Sequence, residues 1–416
     1  MRKFKLRLIQ LSGLAALAVI GVVCLSWSAT AFDFPGFARK PKLAPVRPPL
    51  LRDNEGLLVK SLLQITQGQN QAALETLDDL TRIAPNFKLA QLVRGDLLMA
   101  HARELNGFGG ASAGSKEAIS DFREEARVRL DHYLTQQNTP AVPDYLWQLD
   151  ASQQNAIVVD TSRSRLYLYR NENGKPHYVA DYYVTVGKNG TEKTKEGDKR
   201  TPLGIYFAGR QMEQRQLPDM YGIAAFPLSY PNEWDRHQGK DGHGIWLHGT
   251  PSNTYSRPPH ASDGCVVMTN PDLSALTPIL QNGKTPVVIA HDLVPSGEQA
   301  VAQKEELVQA MEQWRRDWEA QDSDHYLAFY SRSFFSPERN YDGWAQEKRR
   351  IQSAGIKASI TLSNISMFRY PDDKQQMVVV TFAQRFKNGI LNNEMRKRQY
   401  WVLESGCWKI LYEGAV

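Results

Sequence analysis

The sequence predicts a three-part protein: an α-helical N-terminal region, a mainly-β middle domain and an α+β C-terminal domain. Three observations predict it. At 416 residues the chain is too long for one ordinary core. Its apolar residues recur at helical spacing up to about Leu134 and at strand spacing beyond Pro140. A stretch at 293–303, with Pro295, Ser296 and Gly297, then sets off a last segment that opens on an amphipathic helix and closes on strands.

Composition narrows the class. Hydrophobic content of 42% and aromatic content of 10% suit a soluble globular protein. The net charge is +5, but Arg2, Lys3, Lys5 and Arg7 supply four of those charges. The remainder is near neutral and carries no basic stripe, which argues against a nucleic-acid partner. The basic start, the apolar run Leu14–Leu25 and the small residues Ala29-Thr30-Ala31 read as an export signal over 1–31. The competing reading is an uncleaved anchor, since Leu8 to Trp27 is about long enough to span a bilayer. Membrane contact is expected only in that case. On either reading the body lies outside the cytoplasm, in the periplasm or cell envelope. Cys24 follows Val22-Val23 and lacks the small neighbour that lipidation prefers. Residues 32–52, with Pro35, Pro41, Pro45, Pro48 and Pro49, read as an extended tether.

Residues 53–140 are helical. Leu58, Leu62 and Ile65 share one face, Ala73, Leu74, Leu77 and Leu80 another, and Ala84-Pro85-Asn86 stops the second helix. Leu89, Leu92, Val93, Leu97 and Leu98 form a third. Two helices, a proline stop and a further helix are tetratricopeptide-like, although fewer than three repeats are visible. No chemistry shows here. Such a region packs on the middle domain or on a second copy, giving a homodimer.

The middle domain spans about 150–292. Ala156–Asp160 and Arg165–Tyr169 are strands around the turn Asp160-Thr161-Ser162, Asn173-Gly174 is a second turn, and Tyr182–Gly187 is a further strand. The C-terminal segment, 304–416, has a helix at 305–320 with Leu307, Met311, Trp314 and Trp318 on one face. Tyr326, Phe329 and Tyr330 mark a short aromatic helix, and strands follow at Gln376–Phe386, Arg398–Glu404 and Cys407–Tyr412. The aromatic cluster Trp314, Trp318, Tyr326 and Phe329 reads as core.

Chemistry concentrates in the middle domain. His248-Gly249 is followed by twelve residues and then Ser262-Asp263-Gly264-Cys265. Free cysteine is only about 3% thiolate at neutral pH, so a thiol nucleophile needs a base. His248 is the candidate base and Cys265 the nucleophile. Gly264 leaves room for a carbonyl, and backbone N–H groups around Gly264 and Cys265 could hold an oxyanion. The pattern points to acyl transfer through a thioester. Cys407, in an apolar run, reads as a small buried hydrophobe; a Cys265–Cys407 bridge would block the nucleophile. His243, His248, His260 and Cys265 are spaced too widely for a structural zinc set. Tyr206, Tyr230, Trp234 and Trp246 read as packing residues. Arg236 or Lys240 could meet a substrate carboxylate. His260 is a loop residue or a substrate contact on the lid between His248 and Cys265.

These residues resemble the L,D-transpeptidase catalytic domain, or YkuD family, over about Asn155 to His291. Ile157–Asp160 with Arg165-Leu166-Tyr167 is similar to its opening hairpin. Val186-Gly187-Lys188 and Gly197–Tyr206 resemble its Thr-Pro-x-Gly-x-Tyr segment. Ile245–Gly249 with Ser262–Cys265 resembles its catalytic signature. The resemblance implies peptidoglycan stem peptides as partners. Cys265 would attack the carbonyl of the third residue at the L-centre of diaminopimelate, and His248 would act as base and then acid. Gly249 fits because the family's base is oriented by a main-chain carbonyl, and Ser262 joins the candidate substrate contacts. No metal or organic cofactor is implied. Two departures stand out: Asp263 replaces a second histidine common in the family, and Val267 replaces an Arg or Asn. The C-terminal segment resembles the nuclear transport factor 2-like cone fold. The whole arrangement resembles the L,D-carboxypeptidases that shape helical bacteria, in which water is the acceptor. Architecture therefore favours hydrolysis, and the family at large favours transpeptidation. A non-catalytic wall-binding scaffold is the alternative from another class, and it predicts an unreactive Cys265.

Overall fold

The computed structural model describes residues 53–416 except 101–106, 111–113, 136–140, 354, 356, 372–373 and 390. The expected export signal (1–31) and tether (32–52) lie outside the described residues. No described helix is long and apolar enough to cross a membrane.

The helical region comprises α1 (Asn54–Thr66), α2 (Asn70–Ile83), α3 (Lys88–Ala100) and α4 (Lys116–Thr135). Asp53 caps α1 by accepting the Gly56 N–H. Gly68 turns the chain at φ +74°, where L-residues are strained. Most of the expected apolar positions of α1, α2 and α3 share one core with Ala126 of α4; Leu74 is only partly buried, Leu92 lies outside this core, and Leu98 is exposed because it falls on the far side of α3 from Leu89, Val93 and Leu97. Helix α4 differs. Glu125, Arg129 and His132 are buried at spacings of four and three, on one face. That face meets the middle domain.

The middle domain follows β1 (Leu146–Gln148). It contains β2 (Asn155–Asp160), β3 (Arg165–Glu172), β4 (Lys175–Gly187), β5 (Gly204–Phe207), β6 (Ala225–Pro227), α5 (Glu233–His237), β7 (Trp246–His248), β8 (His260–Ser262), β9 (Val266–Met268), α6 (Asn270–Leu276) and β10 (Pro286–Ala290). The strand order is β5-β10-β2-β3-β4-β9-β7-β6, with β8 pairing β4. Asn173 (φ 55°) and Gly174 (φ 84°) make the expected tight turn between β3 and β4. In β2, Ile157 and Val159 face a core with Leu247, Val266 and Met268. Ala156 and Val158 face a second core that includes Phe368, Val379 and Tyr400 of the C-terminal domain. Burial on both faces explains the unbroken apolar run in β2.

The C-terminal domain contains α7 (Glu298–Ala320), α8 (Ser323–Ala328), β11 (Tyr330–Phe335), α9 (Tyr341–Gln352), β12 (Ser359–Arg369), β13 (Met377–Lys387), β14 (Asn392–Glu404) and β15 (Cys407–Ala415). Helix α7 starts at Glu298, so the expected linker at 293–303 is shorter than its composition suggests. Along β13 the side chains alternate. Met377 and Val379 face the middle domain, whereas Val378, Val380 and Phe382 face the helices with Trp314 and Tyr326. Trp318 and Phe329 pack at the edge of that aromatic core. Strands β11 and β12 are absent from the sequence reading, because their mixed, half-exposed residues carry no clean period.

The sheet order is β1-β12-β13-β14-β15-β11. Strand β1 thus precedes the middle domain in the chain but completes the C-terminal sheet, with Leu146 opposite Phe368. Cys407 is a correction. It is exposed, not buried, because it sits beside the turn at Ser405 (φ 50°) and Gly406 (φ 80°), where only the next residue, Trp408, turns inward. Both described cysteines, Cys265 and Cys407, are free, so no bridge joins them.

Candidate active site

Strands β4, β9 and β7 lie side by side, with Thr185 opposite Val267 and Val267 opposite His248. Val184, Leu247, Val266 and Met268 face the core. Alternation therefore puts Thr185, Val267 and His248 in a row on the other face, with Trp246 beside them and Cys265 just before β9. This register brings together two residues seventeen apart in the chain.

His248 is buried. Its Nδ1 lies 2.7 Å from the Gly249 carbonyl. A carbonyl only accepts, so Nδ1 carries the proton and Nε2 presents a lone pair. The Tyr221 ring packs edge-on against the imidazole at 5.1 Å. Burial lowers the His248 pKa to about 4, against the Gly249 carbonyl and with help from the positive field of Arg257. The imidazole is neutral at pH 7.

Cys265 is half-buried, and its Sγ donates to the Gly244 carbonyl at 3.3 Å. Burial pushes the thiol up; the Trp246 N–H and Arg257 oppose this, Asp263 adds to it, and Lys193 again opposes it. The resting pair is thus a neutral thiol and a neutral base. Gly264 turns at φ +121°, and a Cβ there would lie 2.7 Å from the Arg200 carbonyl. The Gly264 carbonyl accepts from Thr201 Oγ1 at 2.9 Å, and the same hydroxyl accepts the Gly187 N–H at 2.8 Å. The Thr-Pro-x-Gly-x-Tyr segment therefore braces the Cys265 loop. Gly249 also has no room for a side chain, which would strike Asn270 Oδ1.

The other sequence candidates fall in different places. Ser262 is buried, donates to the Cys265 carbonyl at 2.6 Å and accepts the Gly264 N–H at 3.1 Å; it braces the loop. Asp263 points outward, 73% exposed, between Lys188 and Lys199 at 3.5 and 3.7 Å. His260 is exposed in β8, a strand rather than a loop, and its field reaches Glu124 of α4. Arg236 donates to the Pro231 carbonyl, and Lys240 pairs with buried Asp235 at 3.1 Å. Lys240 lines a cavity of about 580 Å³ between the middle and C-terminal domains. His243 is at the surface, 3.6 Å from Glu196. Among the described residues no group of three or more His, Cys, Asp or Glu is arranged to hold a metal ion.

Three site residues escape the sequence reading: Tyr221, Asn270 and Arg257. Asn270 accepts the Ile223 N–H at 3.3 Å and donates to the Thr250 carbonyl at 2.9 Å, tying down both sides of Gly249. Arg257 lies on the loop between His248 and Cys265. None belongs to a local pattern, so only the fold reveals them. That loop is held by the helical region. Tyr255 stacks on Phe87 at 4.4 Å, Ser256 Oγ donates to Glu125 at 2.7 Å, and Asn86 donates to the Ser252 carbonyl at 3.1 Å. Beside it runs a buried ionic chain. Glu55 bridges Arg129 (2.8 Å) and Arg165 (2.7 Å), Arg129 pairs with Glu125 (2.9 Å), and Asp181 lies 2.9 Å from His132.

Residues 154–289 match the L,D-transpeptidase catalytic domain (YkuD), and residues 306–414 match the Cds6 C-terminal NTF2-like domain. The structure of Bdellovibrio bacteriovorus Bd1075 is 27% identical, with a TM-score of 0.58, over 67% of this chain and 98% of its own. The helical cell shape determining protein Pgp2 from Campylobacter jejuni is 26% identical, with a TM-score of 0.57, over 68% of this chain and 98% of its own. No curated protein matches the chain. The chain thus carries a YkuD domain followed by an NTF2-like domain, behind N-terminal helices.

Proposed function

We propose that this chain is a thiol-dependent acyltransferase acting on peptidoglycan stem tetrapeptides outside the cytoplasm. One observation carries the reading: His248 is fixed as the Nδ1–H tautomer by Gly249, on the strand beside the Cys265 loop, within a domain that matches the L,D-transpeptidase catalytic domain. The Cys265 proton passes to His248 Nε2 as sulfur attacks the carbonyl carbon of the third residue. The Gly264 N–H is engaged by Ser262, so the Cys265 N–H is the donor we assign to the oxyanion. The C–N bond then breaks, the departing amine of the fourth residue takes the proton from His248, and a thioester remains. An amine or water, deprotonated by His248, attacks the thioester carbonyl and releases the thiol.

A second reading takes water as the acceptor, trimming tetrapeptide to tripeptide. The likeness to Pgp2, a cell shape determining protein, across two thirds of this chain supports it. Incubation with disaccharide-tetrapeptides and mass spectrometry separates the two. Cross-linked dimers indicate transpeptidation, and tripeptides alone indicate hydrolysis. Cys265→Ala is expected to abolish both products. A fully active Cys265→Ala variant would sink the thioester mechanism. An inert wild type whose Cys265 resists thiol reagents would instead support a wall-binding scaffold.

A further inference from the structure

Arg257 is placed by its backbone. It precedes Pro258-Pro259, which restricts it to extended conformations. Its carbonyl accepts Tyr183 Oη at 2.9 Å and Thr185 Oγ1 at 3.0 Å, so it stands over one end of the Thr185–Val267–His248 row. Its guanidinium donates to the Met220 carbonyl at 3.4 Å, next to Tyr221, whose ring packs on His248. The side chain therefore runs along the row toward the imidazole. Arg257 has no carboxylate within ion-pair distance among the described residues. The acid that its field does reach, Asp263, is held by Lys188 and Lys199. Half-burial lowers its pKa somewhat, yet it stays charged at neutral pH. A half-buried guanidinium with no ion-pair partner, beside the candidate nucleophile, is a fork-shaped carboxylate receptor.

We propose that Arg257 binds the C-terminal carboxylate of the substrate peptide, one residue beyond the bond that Cys265 cleaves, and that the helical region holds it in position through Tyr255 and Ser256. This rests on the stem-peptide reading above. It makes the enzyme select peptides that end one residue after the scissile bond. It also gives the helical region a part in catalysis without a reacting group of its own.

The test compares a stem tetrapeptide with the same peptide carrying a C-terminal primary amide. Chemistry at the third residue is the same in both. Wild type is expected to prefer the acid by roughly 10- to 100-fold in kcat/KM, mainly through KM. Arg257→Gln is expected to bring the acid-to-amide ratio close to one, and Arg257→Lys to keep part of it. A merely structural residue would lower both rates and leave the ratio unchanged, and that result overturns the proposal. Should Arg257→Gln fail to fold, the ratio in Arg257→Lys decides, because a point charge without the fork keeps only part of the preference. Wild type that cleaves acid and amide equally overturns the proposal and leaves the stem-peptide reading standing. Wild type that cleaves neither removes the reading itself, and this proposal with it.

Discussion

The middle domain is gripped from two sides by unlike means. Against the C-terminal domain it buries apolar surface: Ala156, Val158, Tyr169 and Val288 meet Phe368, Val379, Tyr400 and Leu411 in one core. Against the helical region it buries charge: Arg165 and Asp181 meet Glu55, Arg129 and His132. Apolar contact is non-directional and tolerates small shifts. Buried ions tolerate little, because each needs its partner at hydrogen-bond distance. The C-terminal contact packs on the sheet, and the helical region also holds the loop that carries Arg257, through Phe87 against Tyr255 and Glu125 with Ser256.

The comparison is broken most severely at its ionic end. Arg129 is 2% exposed and sits between Glu55 and Glu125 with its guanidinium 3.6 Å from the Tyr183 ring centroid. Arg129→Ala leaves buried Glu125 without its cation and Glu55 with Arg165 alone, and is expected to cost about 3–5 kcal/mol in urea unfolding. Glu55 shows the sign with pH. Burial opposes its charge, but Arg165 and Arg129 outweigh it and hold its carboxyl at about 2. Its contribution is complete above the unfolded value of about 4.3 and is lost as pH falls toward 2. Helical circular dichroism should therefore hold at pH 5 and fall below pH 4 in wild type.

His248 has the opposite charge type. With its pKa near 4 when folded and about 6.5 when unfolded, stability is complete above 6.5 and falls as pH drops toward 4, by up to about 3 kcal/mol. His248→Gln should remove that part of the acid sensitivity, measured as the unfolding midpoint at pH 7 and pH 4.5. The activity of wild type should keep an acid limb near pH 4 instead of near 6.5.

Val158→Ala tests the apolar side. It is expected to cost about 1.5–3 kcal/mol, with no dependence on pH between 4 and 8. A pH-dependent loss would contradict the division drawn between the two contacts. Ser256→Ala is the mildest change. It removes one hydrogen bond to Glu125, about 1–2 kcal/mol, and should raise KM several-fold more than it lowers kcat.

Much of the protein was legible in the chain. The helical faces of α1 to α3, the doubly buried β2, the alternating β13 and the His248–Cys265 signature are all local patterns, and periodicity or spacing reads them. Asp263, a departure from the family pattern visible in the chain, turns outward between Lys188 and Lys199, which the chain does not show. Two features escaped sequence reasoning for different reasons. Buried Glu125, Arg129 and His132 carry no local mark, because a sequence does not display the partners that make charge burial tolerable. Cys407 looked buried because its neighbours are apolar, yet the turn before it decides which way it faces.

Sequence alone determined the three-part order and picked out Cys265 and His248 as the candidate thiol and imidazole, since each depends on a residue's own chemistry or on its near neighbours. Tertiary structure alone decided that β1 would leave its neighbours for a sheet more than two hundred residues away, and that the field of Arg257 would reach both Cys265 and His248. Strand register and ion pairing join distant segments, and their energies exist only when both sides are present. No window of the chain contains them.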